Sequence, residues 1–119
     1  MSSQPEQLRD RTKAFALRVI RLYRSLPYKT DAQVLGKQLL RCATSVAANY
    51  RAVCRARSKA EFIAKMGVVV EEADEAILWL ELMTESGIVS AAKTEALLKE
   101  ANELTAIFAA SQRTARNAA

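Results

Sequence analysis

The sequence contains no histidine, and its 119 residues include only three glycines, two prolines and two cysteines. Each scarcity removes a class of function. Di-iron four-helix proteins need Glu-x-x-His pairs on facing helices, so that chemistry is excluded. Imidazole activation of a nucleophile is excluded with it, leaving Ser45 and Cys42 with only a lysine or a carboxylate as base in principle. Three glycines do not make a phosphate-cradling loop. No apolar window approaches the length of a membrane span. The start, Met1-Ser2-Ser3-Gln4-Pro5-Glu6, lacks the basic and apolar blocks of a signal peptide, so a cytoplasmic protein is expected.

Half of the residues are apolar, and Ala, Leu, Glu, Lys and Arg dominate, a mixture that favours helix. The length suits one domain over residues 1–119 with a core of its own. Three capping boxes mark helix starts: Ser3-Gln4-Pro5-Glu6, Thr30-Asp31-Ala32-Gln33 and Ser58-Lys59-Ala60-Glu61. Pro27 and Gly87 mark stops, and Ser90 is a cap for a last helix. The spacing predicts helices over about 5–26, 31–57, 59–86 and 90–110, with a frayed tail at 111–119. Short connections between four helices predict an all-α, up-and-down antiparallel four-helix bundle. Cys42 falls on the core stripe of the second helix and Cys54 near its edge. Twelve residues apart on one helix they stand roughly 18 Å from each other, too far to pair, and are expected to be reduced.

Charge is segregated. Residues 1–57 carry twelve Lys/Arg against three Asp/Glu, whereas residues 58–86 carry two against seven. On the second helix Lys37, Arg41, Thr44, Ala48, Arg51 and Arg55 follow at steps of 4, 3, 4, 3 and 4, one stripe opposite the apolar Leu35, Leu39, Cys42, Val46, Tyr50 and Val53. Arg18, Arg21 and Arg24 add cations on the first helix. A solvated face, pairing with acids across a subunit contact, and contact with nucleic-acid phosphates all suit such a stripe, and the last is favoured. No aromatic residue interleaves with these cations, so base stacking is not expected. Asn49, at the margin of the core stripe, is expected to satisfy backbone groups.

A second apolar set points away from the core stripes: Val68, Leu78, Trp79 and Leu82 on the third helix, Leu17 and Ile20 on the first, and Leu40 on the second. Either the bundle buries more of its central helix than one stripe, or this set is a subunit interface. Glu71, Glu75 and Glu85 flank it and are placed to meet a neighbour's basic stripe. The run Glu71, Glu72, Asp74 and Glu75 reads as a solvated or interfacial face, not as a metal site.

The segment Arg41-Cys42-Ala43-Thr44-Ser45-Val46-Ala47-Ala48-Asn49, then Arg57-Ser58-Lys59-Ala60-Glu61-Phe62 and Glu72-Ala73-Asp74-Glu75-Ala76-Ile77-Leu78-Trp79-Leu80, resembles the 23S rRNA-intervening sequence proteins, also called four helix bundle proteins. The resemblance covers about residues 8–110. After Asn49 the chain departs from the common Ile-Ala-Glu-Gly with Tyr50-Arg51-Ala52-Val53, which adds positive charge and removes a carboxylate and a glycine. The resemblance implies an up-and-down bundle assembled as a ring, usually a homopentamer, with no cofactor and no enzymatic activity. The family is also similar to accessory proteins of diversity-generating retroelements, basic pentamers that bind nucleic acid and a reverse transcriptase. The expected function is a non-enzymatic oligomer that binds an RNA or DNA backbone; the alternative is a protein-binding scaffold without nucleic-acid contact.

Overall fold

Four helices account for nearly all of the chain in a computed structural model that describes residues 3–118. They are α1 (Gln4–Arg24), α2 (Thr30–Cys54), α3 (Lys59–Glu85) and α4 (Ala91–Asn117), with no strand among the described residues. Each helix packs on the next in an up-and-down antiparallel bundle, and α4 returns to α1 across the thinnest seam. The resulting body measures 50 × 27 × 19 Å.

Two of the three capping boxes supply their cap bond. Ser3 Oγ accepts from the Glu6 N–H at 3.3 Å, and Ser58 Oγ accepts from the Glu61 N–H at 3.0 Å. The Thr30 box does not form. The helix already begins at Thr30, with Lys29 as a cap residue that makes no side-chain bond. Gln33 is used elsewhere: its Nε2 donates to the Pro27 carbonyl at 3.1 Å while its Oε1 accepts from Tyr23 Oη at 2.9 Å. One amide thereby ties the turn to the end of α1. Gly87 stops α3 at φ +82°, a left-handed conformation that glycine adopts without a Cβ penalty.

Two helix ends differ from the sequence expectation. α2 stops at Cys54, not at 57, because the N–H groups of Arg55 and Ala56 turn back to the Ala52 and Val53 carbonyls, at 3.1 and 3.0 Å, in a tightened last turn. Nor is 111–119 a frayed tail. α4 runs to Asn117, and Gln112 Nε2 donates to the Ile63 carbonyl at 3.1 Å, pinning the last turns onto α3; only Ala119 of that segment lies outside the described residues.

The core is the line where the four apolar stripes meet. Phe15 and Val19 come from α1, Leu39, Cys42 and Val46 from α2, Met66, Val69 and Leu80 from α3, and Leu104 and Phe108 from α4. Burying each large side chain contributes about 1.5–3 kcal/mol relative to exposing it. Tyr50 on α2 meets Phe108 on α4 diagonally, with ring centroids 5.0 Å apart. The buried hydroxyls are bonded: Thr12 Oγ1 donates to the Arg9 carbonyl, and Thr94 Oγ1 shares a 2.7 Å bond with Thr84 Oγ1. At Gly36 α2 is packed tightly by the end of α1 and the turn after it, since a Cβ there would stand 2.5 Å from Leu26 Cδ1 and 3.0 Å from Tyr23 Cδ1.

Candidate nucleic-acid interface

α1 and α2 together carry only three carboxylates, Glu6, Asp10 and Asp31, and the ion pairs that their cations form among the described residues go to α3 and α4. Two of them do. Arg11 reaches across the α1–α4 seam to both carboxylate oxygens of Glu100, at 2.6 and 3.1 Å, and to Glu103 at 3.3 Å. That fork holds Glu100 below the usual carboxylate range. Arg41 reaches across to α3 and meets Glu72 at 3.0 Å and Glu75 at 3.7 Å.

Arg41, one of the four cations of the α2 stripe, is thus paired within the chain. Arg41 stands at the α3 edge of the stripe and is neutralised within its own chain. Glu75, expected to face a neighbouring subunit, is half of that contact. Arg55 lies beyond the helix as its C-terminal cap residue. Lys37 and Arg51 remain exposed and form no ion pair among the described residues. Nor do the three arginines of α1 share one face with them. Arg18 and Arg21 border the α1–α4 seam beside Lys93, and Arg18 is near enough to act on Glu100. Arg24, exposed on the last turn of α1, lies on a different stripe from Arg18, that of Lys13.

Between α1 and α2 runs a groove of about 320 Å³ that the sequence reading missed. Arg9 and Lys13 of α1 stand on one side and Arg51 of α2 on the other, over a floor of Ala16, Ala47 and Ala48. None of the three cations forms an ion pair. Leu17 and Thr44 continue the groove toward the turn. Arg9, Lys13 and Leu17 follow at steps of four, and Arg24 lies three helical turns beyond Lys13, so this stripe of α1 was legible as a cationic partner to the α2 stripe.

Cys42 Sγ and the carboxylates of Glu72 and Glu75 lie within 4.8 Å of one another. The set does not suit a cation, because the Arg41 guanidinium already sits among these groups, donating to Glu72 and to Cys42 Sγ at 3.3 Å. Burial pushes the Cys42 thiol up to about 11, against the opposing pull of Arg41. Trp79, half-buried beside the thiol, also favours the thiolate slightly, yet its shielded Nε1–H forms no hydrogen bond in good geometry.

The second apolar set divides as well. Trp79 and Leu40 are half-buried against the core, and Ile20 is half-buried. Val68, Leu78 and Leu82 of α3 are 41, 46 and 41% exposed, and Leu17 is 43% exposed in the α1–α2 groove. Glu71 and Glu85 are exposed on the same side of α3 as Leu78 and Leu82. Asn49 Nδ2 donates to the Ser45 carbonyl and to Ser45 Oγ, both at 2.9 Å, as expected for a backbone-satisfying amide.

Among the described residues no helix is long and apolar enough to cross a membrane. No curated protein matches the sequence. The fold is similar to the crystal structure of a protein of unknown function from the S23 ribosomal protein family of Bacteroides thetaiotaomicron, with a TM-score of 0.85 and 29% identity over 93% of this chain and 99% of that one. Residues 7–110 match the family model of the 23S rRNA-intervening sequence protein. A match over most of the chain, together with the bundle itself, places the protein in the 23S rRNA-intervening sequence protein family.

Proposed function

We propose that this protein is a non-enzymatic, cytoplasmic accessory factor that binds the backbone of nucleic acid through the unpaired cations of α1 and α2. The observation that carries the reading is selective pairing. Arg11 and Arg41 are taken up by acids of α4 and α3, whereas Arg9, Lys13, Arg24, Lys37 and Arg51 are exposed on adjoining helices and form no ion pair among the described residues. Arg18, Arg21 and Lys93 add a smaller cationic patch on the neighbouring seam. Phosphate contacts release counterions, so affinity falls linearly in log–log form with salt. Purification without nuclease, followed by binding of labelled RNA and DNA across a salt series, tests it. A negative salt slope of several units supports the reading. Absence of binding at low salt overturns it in favour of a protein-binding scaffold.

The same proposal includes a homo-oligomer, with a pentameric ring favoured by the family resemblance. Its support on this chain is the exposed Val68, Leu78 and Leu82 of α3, flanked by Glu71 and Glu85. α3 and the basic α1 are not neighbours in the bundle, so a contact joining the two faces would be head-to-tail, the kind that closes rings. A ring repeats the cationic groove and multiplies its phosphate contacts. The retroelement resemblance makes a reverse transcriptase the first protein partner to test.

A further inference from the structure

Tyr28 is 99% exposed, the most solvent-exposed large apolar side chain among the described residues. It stands in the turn that joins α1 to α2, where nothing in the bundle uses its ring. This turn joins the same two helices, eleven residues beyond Leu17, where the lining of the α1–α2 groove ends. Lys29 is beside it, Arg24 ends α1 just before it, and Lys37 lies two turns into α2. Arg9, Lys13 and Arg51 stand in the groove itself with Thr44, Ala47 and Ala48, and the neutral Leu17, Ile20 and Leu40 stand between them and the turn. From Arg9 to Arg24 the track is about 22 Å long at the helical rise. Adjacent packed helices are separated by about 8–10 Å, which leaves a channel far narrower than a duplex.

Resting on the proposed nucleic-acid reading, we infer that the ligand is single-stranded, with its backbone along the α1–α2 groove and an unpaired base stacked on Tyr28. Cations at both ends hold phosphates, and the alanine floor lets the strand approach the helix surfaces. The ring supplies what the cations lack, a π-face that accepts any base but only one free of its own stack. A duplex presents phosphates but no such base, so it engages the cations alone.

The test uses the intact protein with labelled oligouridylate, oligothymidylate and a blunt-ended duplex. Tyr28→Ala should weaken binding of both single strands by about tenfold, Tyr28→Trp should restore it, and neither should change duplex binding. Because stacking is uncharged, the salt slope should stay that of wild type, whereas Lys13→Gln with Arg51→Gln should lower it by about 0.7 per residue on a single strand. Ala48→Phe, an exposed substitution that fills the groove without altering charge, should weaken single strands more than duplex. Equal loss on duplex and single strands, or wild-type affinity in Tyr28→Ala, overturns the inference while leaving backbone binding intact. A wild type that binds none of the three probes at low salt removes both readings. Preference between the two oligonucleotides separates RNA from DNA as the source of the strand.

Discussion

Arg11 on α1 grips Glu100 on α4 with Nε and Nη2 on opposite carboxylate oxygens, joining residues 89 positions apart. The grip lies on the seam where the first and last helices meet least closely. Elsewhere the bundle closes through apolar side chains; here a charged fork adds to a thinner apolar contact. Its geometry fixes both rotation and register of α1 against α4, because a bidentate pair tolerates little sliding.

Removing that fork should cost stability in a pH-dependent way. Glu100 is held below its ordinary range chiefly by the Arg11 hydrogen bond, so its contribution is complete above the unfolded carboxylate value and is lost as pH falls through the lower folded value. Glu100→Gln should destabilise by about 1 kcal/mol at neutral pH, after allowance for solvent screening of the half-exposed arginine. Urea unfolding at neutral pH and below about pH 4 checks this. The gap between wild type and variant should close in acid, and an equal gap at both values would show a packing effect instead.

Gly36 permits the close approach of Leu26 and Tyr23 to α2 beside the α1–α2 turn. A side chain there collides with Leu26 and Tyr23, and a β-branched one has few rotamers with which to escape. Gly36→Val should destabilise by about 1–3 kcal/mol despite the better helix propensity of valine. The urea midpoint reads the loss. A variant as stable as wild type would mean that the Leu26 side chain yields freely.

The two thiols should separate by reactivity. Cys42 is buried, and burial raises its thiol to about 11, while Cys54 is exposed at the end of α2. The thiolate is the reacting form, so a thiol reagent at neutral pH should label one cysteine in the native protein and both in denaturant. Native labelling should vanish in Cys54→Ser and persist in Cys42→Ser.

Most of the fold is legible in the residues, because helix periodicity and end signals are local. Ser3, Ser58 and Gly87 act as their sequence positions predict. Gln33 does not, because its choice between a cap and the Pro27 turn depends on where Tyr23 arrives in three dimensions. The end of α4 is hard to read for a similar reason: 111–117 has little apolar periodicity, and its anchors are long-range bonds, from Gln112 to the Ile63 carbonyl and from Lys59 to the Ala118 carbonyl. The candidate site is less legible than the fold. A stripe on one helix says which residues share a face, but not which neighbouring helix brings acids to it. Arg41 and Arg51 lie about 80° apart, on opposite edges of the stripe, and only the fold shows that one edge meets Glu72 and the other borders a groove lined by Arg9 and Lys13.

The exposed apolar residues of α3 give a separate prediction about assembly. Leu78→Glu with Leu82→Glu places two more carboxylates beside Glu71 and Glu85, at positions the monomer core does not use. Light scattering should show a shift toward monomer, with helix content by circular dichroism unchanged. Loss of helix along with assembly would mean that these leucines support the bundle itself. A wild type already monomeric at micromolar concentration would remove the subunit-contact reading.

The contrast between Arg41 and Arg51 also separates structural charge from binding charge. Arg41 closes an α2–α3 ion pair with Glu72 and Glu75, and its removal leaves the half-buried Glu72 without a counterion. Arg41→Ala should therefore lower the urea midpoint while leaving the salt slope of nucleic-acid binding near that of wild type. Arg51 has no carboxylate partner, so Arg51→Ala should leave the midpoint unchanged. It should reduce the slope by about 0.7 on a single strand and weaken all sequences alike. The two variants carry the same change in net charge, so long-range attraction falls equally in both and any difference is local. If the slopes drop together, binding follows net charge and the groove has no privileged role. If Arg51→Ala alone loses stability, the groove arginine is part of the bundle and the phosphate contact must be sought at Arg18, Arg21 and Lys93 on the α1–α4 seam.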